Sequence, residues 1–144
     1  MAFSGNFMCT SFKTELLKGV HNFTAASNVF KLAMYTNSAS FNAATTAYTS
    51  GNEVSGTNYT AKGNAITTVT PTSSSTTAFV DMDNVVFTNV TLTGVRGALI
   101  FNEAASGDPT VCVLDFGSDK AASAGDFTVV MPTADASNAI IRIA

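Results

Sequence analysis

A regular series of short β-type runs in the second half of the chain is the feature that most constrains its fold. Seven runs rich in β-branched and aromatic residues follow Asn64 at intervals of about ten to fifteen residues. The runs are AITTVT, TTAFVDMD, NVVFTNVTLTG, RGALIFNE, PTVCVLDFG, DFTVVMP and AIIRIA. Turn-forming segments separate them, namely PTSSST, TGVRG, EAASGDP, GSDKAASAGD and TADASN. The pattern predicts an all-β fold, either an antiparallel β-sandwich or a jelly-roll-like barrel.

Composition agrees with this fold class, because only 12% of the 144 residues are charged and Ser, Thr and Asn are abundant. Exposed helix faces need Lys, Glu and Arg, whereas hydroxyl-rich surfaces suit the outer faces of sheets. A chain of this length is typical of one domain, so we predict a single β-rich domain over residues 1–144. Three runs, ALIF, TVCVL and AIIRI, are apolar on both faces and are expected to be central or covered strands.

One segment near the N-terminus, SFKTELLKG at residues 11–19, predicts a short helix. Ser11 is a suitable N-cap and Gly19 is a suitable C-terminal stop. Phe12 and Leu16 fall on one face of this helix, and we expect them to dock on the sheet because two helical turns are not stable alone. Residues 1–10 are a candidate N-terminal arm that would lie along a neighbouring subunit, and the sequence leaves open whether they are ordered.

A long polar loop follows the first predicted strand, which covers residues 28–36 and alternates between a core face and an outer face. Residues 37–64 then hold mostly small polar residues around isolated aromatic side chains. Long loops in compact domains usually serve a function or contact a partner. We therefore predict an interaction loop over residues 37–64, with Phe41, Tyr48 and Tyr59 as partner-binding anchors. Replacing Tyr48 and Tyr59 by Ala is expected to weaken partner binding and to leave the fold intact.

The charge pattern limits the classes of partner. The net charge is -3 and the pI is about 4.8, and no cluster of Lys or Arg exists to displace counterions from nucleic acid. No run of about 18 apolar residues predicts a membrane span, and the first residues do not form a signal peptide. We expect no nucleic-acid partner, no membrane partner and synthesis in a cytosol. Cys9 and Cys112 favour reduced core residues over a disulfide.

No pattern of residues indicates a catalytic centre. The tripeptide DFG at residues 115–117 matches the magnesium signature of kinases, but the glycine-rich and catalytic loops of a kinase are missing. Asp81 and Asp83 share a face if they lie on a strand, but a metal site needs further oxygen ligands. His21 is the only histidine, which favours a turn or interface role. We predict that the protein is not an enzyme and has no catalytic residues, no metal and no cofactor.

Three further residues are candidates for partner contact. Arg96 lies between two glycines, where its guanidinium would clamp a carboxylate of a partner; an ordinary turn arginine is the alternative. Ile141 and Ile143 belong to an apolar C-terminal run. Because exposed apolar strands promote aggregation, this run predicts a strand that is central in a sheet or bridges two subunits.

Four segments occur in an order that is found in a known group of proteins. They are FKLAMYTNSA, TAYTSGNEVSGTNYTAKGN, RGALIFN and the final stretch from LDFGSDK to IIRIA. Together with the helix segment they resemble a group of small virion structural proteins of tailed bacteriophages and prophages. The resemblance spans residues 11–144, and the shared segments are structural rather than catalytic.

This resemblance implies a capsid decoration (cement) protein that is made in the cytoplasm of a host bacterium and resides on the capsid surface of the virion. Its expected partner is the major capsid protein, whose capsomers it would bridge. Weak contacts to several shell subunits would add up through avidity. A closed homo-oligomer, a trimer or a dimer, is therefore expected at the local symmetry axes of the shell.

Two other functions are compatible with the same features. The first places the protein in the phage tail, the baseplate or a head fibre. The second is a carbohydrate-binding β-sandwich, although sugar-binding platforms favour Trp and the chain has none.

Overall fold

The computed structural model describes residues 3–144 and has one helix and eight strands within that range. They are β1 (Phe7–Met8), α1 (Thr10–Leu17), β2 (Phe30–Tyr35), β3 (Asn64–Ile66), β4 (Thr68–Ser74), β5 (Thr77–Met82), β6 (Val85–Asn102), β7 (Thr110–Val129) and β8 (Ile141–Ile143). The short helix at the predicted position and the predominance of strands confirm the predicted all-β class.

The strands form two antiparallel sheets. The larger sheet has the order β1-β7-β6-β2-β3, and the smaller sheet has the order β4-β5-β8. Side chains from both sheets belong to one hydrophobic cluster, to which β6 contributes Leu99, β7 contributes Val113 and the smaller sheet contributes Val80 and Ile141. Burial of this apolar surface provides the main stabilisation of the fold. The arrangement agrees with a β-sandwich.

Two of the predicted turns are wrong, because β6 and β7 run through them. The TGVRG segment lies inside β6 and the GSDKAASAGD segment lies inside β7. Gly94 and Gly117 adopt positive φ angles of 64° and 76°, but the β6–β7 ladder continues past them with shifts in register. Glycine at such a position forms a bulge as readily as a turn. The EAASGDP segment forms the connection between β6 and β7.

The helix begins at Thr10, two residues before the start that an N-cap at Ser11 implies. Cys9 is the N-cap and makes no side-chain capping bond, so the prediction that Ser11 is the N-cap is wrong. The Ser11 hydroxyl is instead buried without a hydrogen-bond partner among the described residues. Gly19 has a φ of 74°, as expected of a glycine that ends a helix. Phe12 is fully buried and Leu16 packs against the core, which confirms their docking.

Two strands differ from their predicted environments. β2 is buried on both faces, because Ala33 and Tyr35 are as inaccessible as the residues of the core face. β8 is neither central nor covered on both sides: it pairs only with β5, at the edge of the smaller sheet.

Residues 1 and 2 of the predicted N-terminal arm lie outside the described residues. The remainder packs on its own chain, since Phe3 is buried and β1 pairs with β7.

Candidate functional site

The long loop packs against the larger sheet, and we call residues 37–63 the loop cover. Its aromatic side chains contact aromatic residues of that sheet. The Phe41 ring contacts the Tyr35 ring edge-on, with centroids 4.6 Å apart, and the Tyr48 ring lies 4.8 Å from Phe101. The Tyr59 ring stacks on Phe87 at 5.6 Å. The loop cover therefore explains why the second face of β2 is buried.

The backbone of the loop cover touches the backbone of the sheet at two glycines. A Cβ atom added to Gly63 would lie 1.8 Å from the carbonyl oxygen of Leu32, and Gly63 has a φ of 65°. A Cβ atom added to Gly56 would lie 2.0 Å from the carbonyl oxygen of Thr91. Only glycine permits such an approach, so these two positions bring the loop into contact with β2 and β6.

The carboxylate of Glu53 holds the loop cover together. It accepts hydrogen bonds from the Tyr48 hydroxyl at 2.6 Å, from the Tyr59 hydroxyl at 2.8 Å and from the Lys62 backbone N–H at 2.7 Å. The Tyr59 oxygen in turn accepts a bond from the Met34 N–H at 2.9 Å, which links the loop to β2. Hydrogen bonds to a charged acceptor are about twice as strong as neutral ones. We call Tyr48, Glu53, Tyr59 and Lys62 the fastening cluster.

The environment of the tyrosines keeps their hydroxyls protonated. Burial raises the pKa of Tyr59 above its usual range, and its hydrogen bond to Glu53 raises it further. Burial and then the bond to Glu53 raise the pKa of Tyr48 in the same way. Burial also raises the pKa of Tyr35, whose hydroxyl donates to the Thr49 carbonyl at 2.7 Å. The three groups act as hydrogen-bond donors inside the fold.

Lys62 connects the loop cover to the β6–β7 hairpin. Its Nζ atom lies 2.7 Å from a carboxylate oxygen of Asp108 and 3.5 Å from one of Glu103, and it stands over the Tyr48 ring. The hydrogen bond to Asp108 raises the pKa of Lys62. Glu103 also pairs with Lys31 at 3.1 Å. The ion pairs therefore join the loop, β2 and the end of the hairpin.

These contacts change the interpretation of the predicted loop anchors. Phe41 is 6% exposed and belongs to the core, so it is not an exposed anchor. Tyr48 and Tyr59 are partly buried, and both hydroxyls bond within the chain. Replacing them by Ala would leave donors and acceptors of the cluster unpaired, which contradicts the expectation of an intact fold. A partner-binding role of the loop stays a prediction.

Sequence reasoning missed Glu53, although a signal for it exists. Within residues 37–63 Glu53 is the only acidic residue and Lys62 is the only basic one. A single charge of each sign in a long loop of low charge is typical of a structural contact, because burial of an isolated charge is costly without partners. This signal indicates a contact that holds the loop rather than a surface that binds a partner.

Arg96 makes its ion pair inside the chain. Its Nε atom donates to Asp115 at 3.1 Å, and a terminal nitrogen lies 3.8 Å from Asp119. The Gly117 backbone N–H and then Arg96 hold the pKa of Asp115 below its usual range. The carboxylate that Arg96 holds therefore belongs to β7 of the same chain, whereas the prediction placed it on a partner. The alternative of a turn arginine is wrong, because residue 96 lies within β6.

His21 is part of a buried polar contact beneath α1. Its Nε2 atom lies 2.8 Å from a Glu15 carboxylate oxygen, and its Nδ1 atom lies 3.2 Å from the side-chain nitrogen of Asn102. The Phe12 ring is 5.0 Å away. The expectation of a turn or interface residue is therefore replaced by a core position, 5% exposed. Asn102, also missed in the sequence, is fully buried on β6.

The remaining ionisable and thiol groups are dispersed. Asp81 lies on β5 and Asp83 lies just beyond its end. Within residues 3–144, no group of three or more His, Cys, Asp or Glu side chains could hold a metal ion. Cys9 and Cys112 are free and buried, as predicted, and burial raises the pKa of both thiols.

An apolar groove separates α1 from β8, and it includes two of the predicted residues. We call the residues Met8, Phe12, Leu16, Leu17, Ile141 and Ile143 the α1–β8 groove. Its volume is about 280 Å³, and Lys13 and Arg142 line it as well. Ile141 is 3% exposed at its base, whereas Ile143 is 56% exposed and Leu17 is 91% exposed. The structure thus separates the two isoleucines into a core residue and a surface residue.

Comparisons of the chain with protein-family models, curated proteins and solved structures found no match. The one helix among residues 3–144 is too short to cross a membrane.

Proposed function

We propose that the protein is a non-enzymatic structural protein of a bacteriophage virion, a decoration protein that binds the outer surface of the capsid and bridges its capsomers. It resides on the capsid surface after synthesis in the host cytoplasm. The shell partner is the major capsid protein, and the decorating unit is a homo-oligomer, a dimer or a trimer. The starting point is the resemblance of the chain to small virion proteins.

The observation that carries the proposal is that the charged side chains of the loop cover form hydrogen bonds and ion pairs within the chain. Glu53 accepts three hydrogen bonds from its own loop, and Lys62 pairs with two carboxylates of the hairpin end. The Glu53 carboxylate and the Lys62 ammonium are groups that an active site could use, but here they hold a long loop on a sheet. Such a network rigidifies a fold, because its hydrogen bonds support one another in a partly buried environment.

Rigidity of this kind suits a protein that must resist force. A decoration protein bridges neighbouring capsomers against the outward pressure of packaged DNA, and deformation under load would release the bridge. The antiparallel ladder of β6 and β7 extends through most of both strands and presents many backbone hydrogen bonds to such a load. Several weak contacts per oligomer then suffice for stable attachment.

The copy number of the protein in purified particles tests the proposal. We expect quantitative mass spectrometry of intact virions to find a number comparable to that of the major capsid protein. A much smaller number would indicate a tail, baseplate or head-fibre component. Absence from the particle would refute the virion function, and a glycan array would then test the carbohydrate-binding alternative.

A further inference from the structure

We propose that the α1–β8 groove binds a strand segment of another protein, apolar at its centre and flanked by Asp or Glu. The inference deepens the proposed function by naming a surface and the chemistry of its partner. It rests on that function only for the identity of the partner, which would be the shell protein.

The groove presents apolar side chains that its own chain does not cover. Leu17 and Ile143 stand on its two sides, 91% and 56% exposed, and their backbones are held in α1 and in β8. Between them lie Leu16 and the buried Phe12 and Ile141. Burial of such aliphatic side chains against a partner is favourable because it removes apolar surface from water. The two exposed residues are therefore suited to anchor a small interface.

The backbone next to this surface is suited to a strand. β8 pairs with β5 on one side only, and no described strand pairs with its other side. The opposite edge of the same sheet, β4, carries Pro71 and a register shift between Val69 and Thr72, which protect an edge against pairing. β8 has no proline and only one charged residue, Arg142. An added strand would extend the sheet and place alternate side chains against Leu17 and Ile143.

Charge indicates which strand would bind. Lys31, Lys62 and Arg96 form ion pairs within the described chain. Four cationic side chains of residues 3–144 form none, and two of them, Lys13 and Arg142, line the groove. The protein as a whole carries a net charge of -3, so this is a local basic rim on an acidic molecule. Acidic residues on the incoming segment would complement it.

The same rim disfavours a second copy of this chain as the occupant. A two-fold contact through the groove would bring Lys13 and Arg142 close to their own equivalents, and like charges across an interface are repulsive. An anionic membrane would also match basic charge, but two cations on a small surface give weak attraction. The free edge of β8 favours a protein strand over a lipid surface, and the basic charge of the rim favours a different protein over a second copy.

Selection from a random peptide library tests the inference and does not require an identified partner. The full chain is immobilised, and binders are selected from random twelve-residue peptides in ribosome or messenger-RNA display. We expect the enriched peptides to share alternating apolar residues with Asp or Glu at the ends. A synthetic consensus peptide and a copy with Lys in place of its acidic residues are then measured by fluorescence anisotropy.

Four variants connect binding to the groove. We expect Leu17→Glu, Ile143→Glu and the double variant Lys13→Glu with Arg142→Glu each to weaken the consensus peptide at least about tenfold, as for an interface hot spot. Val130→Glu is the matched control, because Val130 is 72% exposed and lies outside the groove, and its affinity should stay within about twofold of the original. Circular dichroism verifies that each variant is folded.

The other outcomes overturn the inference. It fails if no peptides are enriched, if they bind equally well to the Leu17→Glu variant, or if the Lys-substituted peptide binds as tightly as the acidic one. It also fails if sedimentation shows self-association that Leu17→Glu abolishes, which would make a second copy the occupant. Flotation with phosphatidylglycerol vesicles that the same variant abolishes would make a lipid surface the occupant. The copy number in particles is independent of all these results, so the virion function and the groove are tested separately.

Discussion

The loop cover and the α1–β8 groove both contain apolar side chains near the surface, but those of the loop cover are packed on the sheet and two of the groove are exposed. In the loop cover, the rings of Phe41, Tyr48 and Tyr59 pack on aromatic residues of the larger sheet. In the groove, Leu17 and Ile143 remain largely exposed. The region that is rich in aromatic residues is closed, and the region with plain aliphatic residues is open.

The difference shows that the hydroxyl group of a tyrosine influences where its ring is buried. A tyrosine can be buried only if its hydroxyl finds a partner, and Glu53 supplies one for two tyrosines at once. Leu17 and Ile143 need no such partner, so only apolar area decides whether they are covered. An aromatic residue in a polar loop therefore indicates a cover over a sheet at least as well as it indicates a binding surface.

Gly63→Ala is expected to have the largest effect on the comparison, because it breaks the contact between the loop cover and β2. The new Cβ atom would collide with the carbonyl oxygen of Leu32, and the alanine would be held at a strained positive φ. We expect a loss of about 4 kcal/mol in the free energy of unfolding, measured by urea denaturation. Gly51→Ala in the same loop is the control, since its Cβ atom would meet only the Thr49 hydroxyl at 3.5 Å. Equal losses in the two variants would contradict a close approach at Gly63.

Glu53→Ala tests the fastening cluster directly. The substitution removes the acceptor of three hydrogen bonds and leaves partly buried donors unpaired, so we expect a loss of about 3 kcal/mol in the free energy of unfolding. Glu53→Gln keeps one oxygen acceptor and should lose about half as much. Ser55→Ala, at an exposed position of the loop, should change stability by less than about 0.5 kcal/mol. A Glu53→Ala variant as stable as Ser55→Ala would show that the cluster does not hold the loop.

Alkaline titration sharpens the comparison, because all three tyrosines of the chain belong to the loop cover or to β2 beneath it. Burial raises the folded-state pKa of Tyr35, Tyr48 and Tyr59 above the unfolded value of about 10. Their contribution to stability is therefore complete below about pH 10 and declines as the pH rises above it. Urea denaturation between about pH 8 and 11 should show this decline, and Tyr59→Phe should reduce it. Tyrosinate absorbance that rises in the folded protein at the unfolded pKa would contradict the prediction.

The smallest expected effect concerns the open region. Leu17→Gln should change the free energy of unfolding by less than about 0.5 kcal/mol, because Leu17 is already exposed and both residues favour helices. The same substitution at the neighbouring Leu16, which packs on the core, should cost about 1 kcal/mol or more. Thermal unfolding compares the two variants. A large loss at Leu17 would show that the residue is covered in solution, and the contrast between the two regions would disappear.

Local patterns predicted much of the fold. Alternation and turn residues identified the β-class and most strands, and the FKTELL segment identified the helix with Phe12 on its buried side. Two of the errors came from glycine, because Gly94 and Gly117 were interpreted as turns although each forms a bulge in a long ladder. Whether a positive φ reverses the chain depends on the partner strand, which a local pattern does not contain.

The candidate residues show the same limit. The sequence predicted that Arg96 would clamp a partner's carboxylate and that Ile141 and Ile143 would belong to a strand, and only the second statement is true of the structure. It did not reveal that the carboxylate belongs to Asp115 of the same chain, or that Glu53 gathers the tyrosine hydroxyls. Arg96 and Asp115 lie 19 residues apart and meet because β6 pairs with β7, whereas Glu53 meets the two tyrosines within one loop whose path is set by packing.

The sequence by itself thus determined the all-β class, the short helix, the reduced state of Cys9 and Cys112 and the low charge of the surface, because propensity, periodicity and composition act locally. Only the tertiary structure decided which apolar residues are covered. The loop cover is closed because Gly63 lets its backbone approach β2 and because Glu53, within the loop, accepts hydrogen bonds from the Tyr48 and Tyr59 hydroxyls. The α1–β8 groove is open because β8 lies at an edge, where no further strand of the described chain follows.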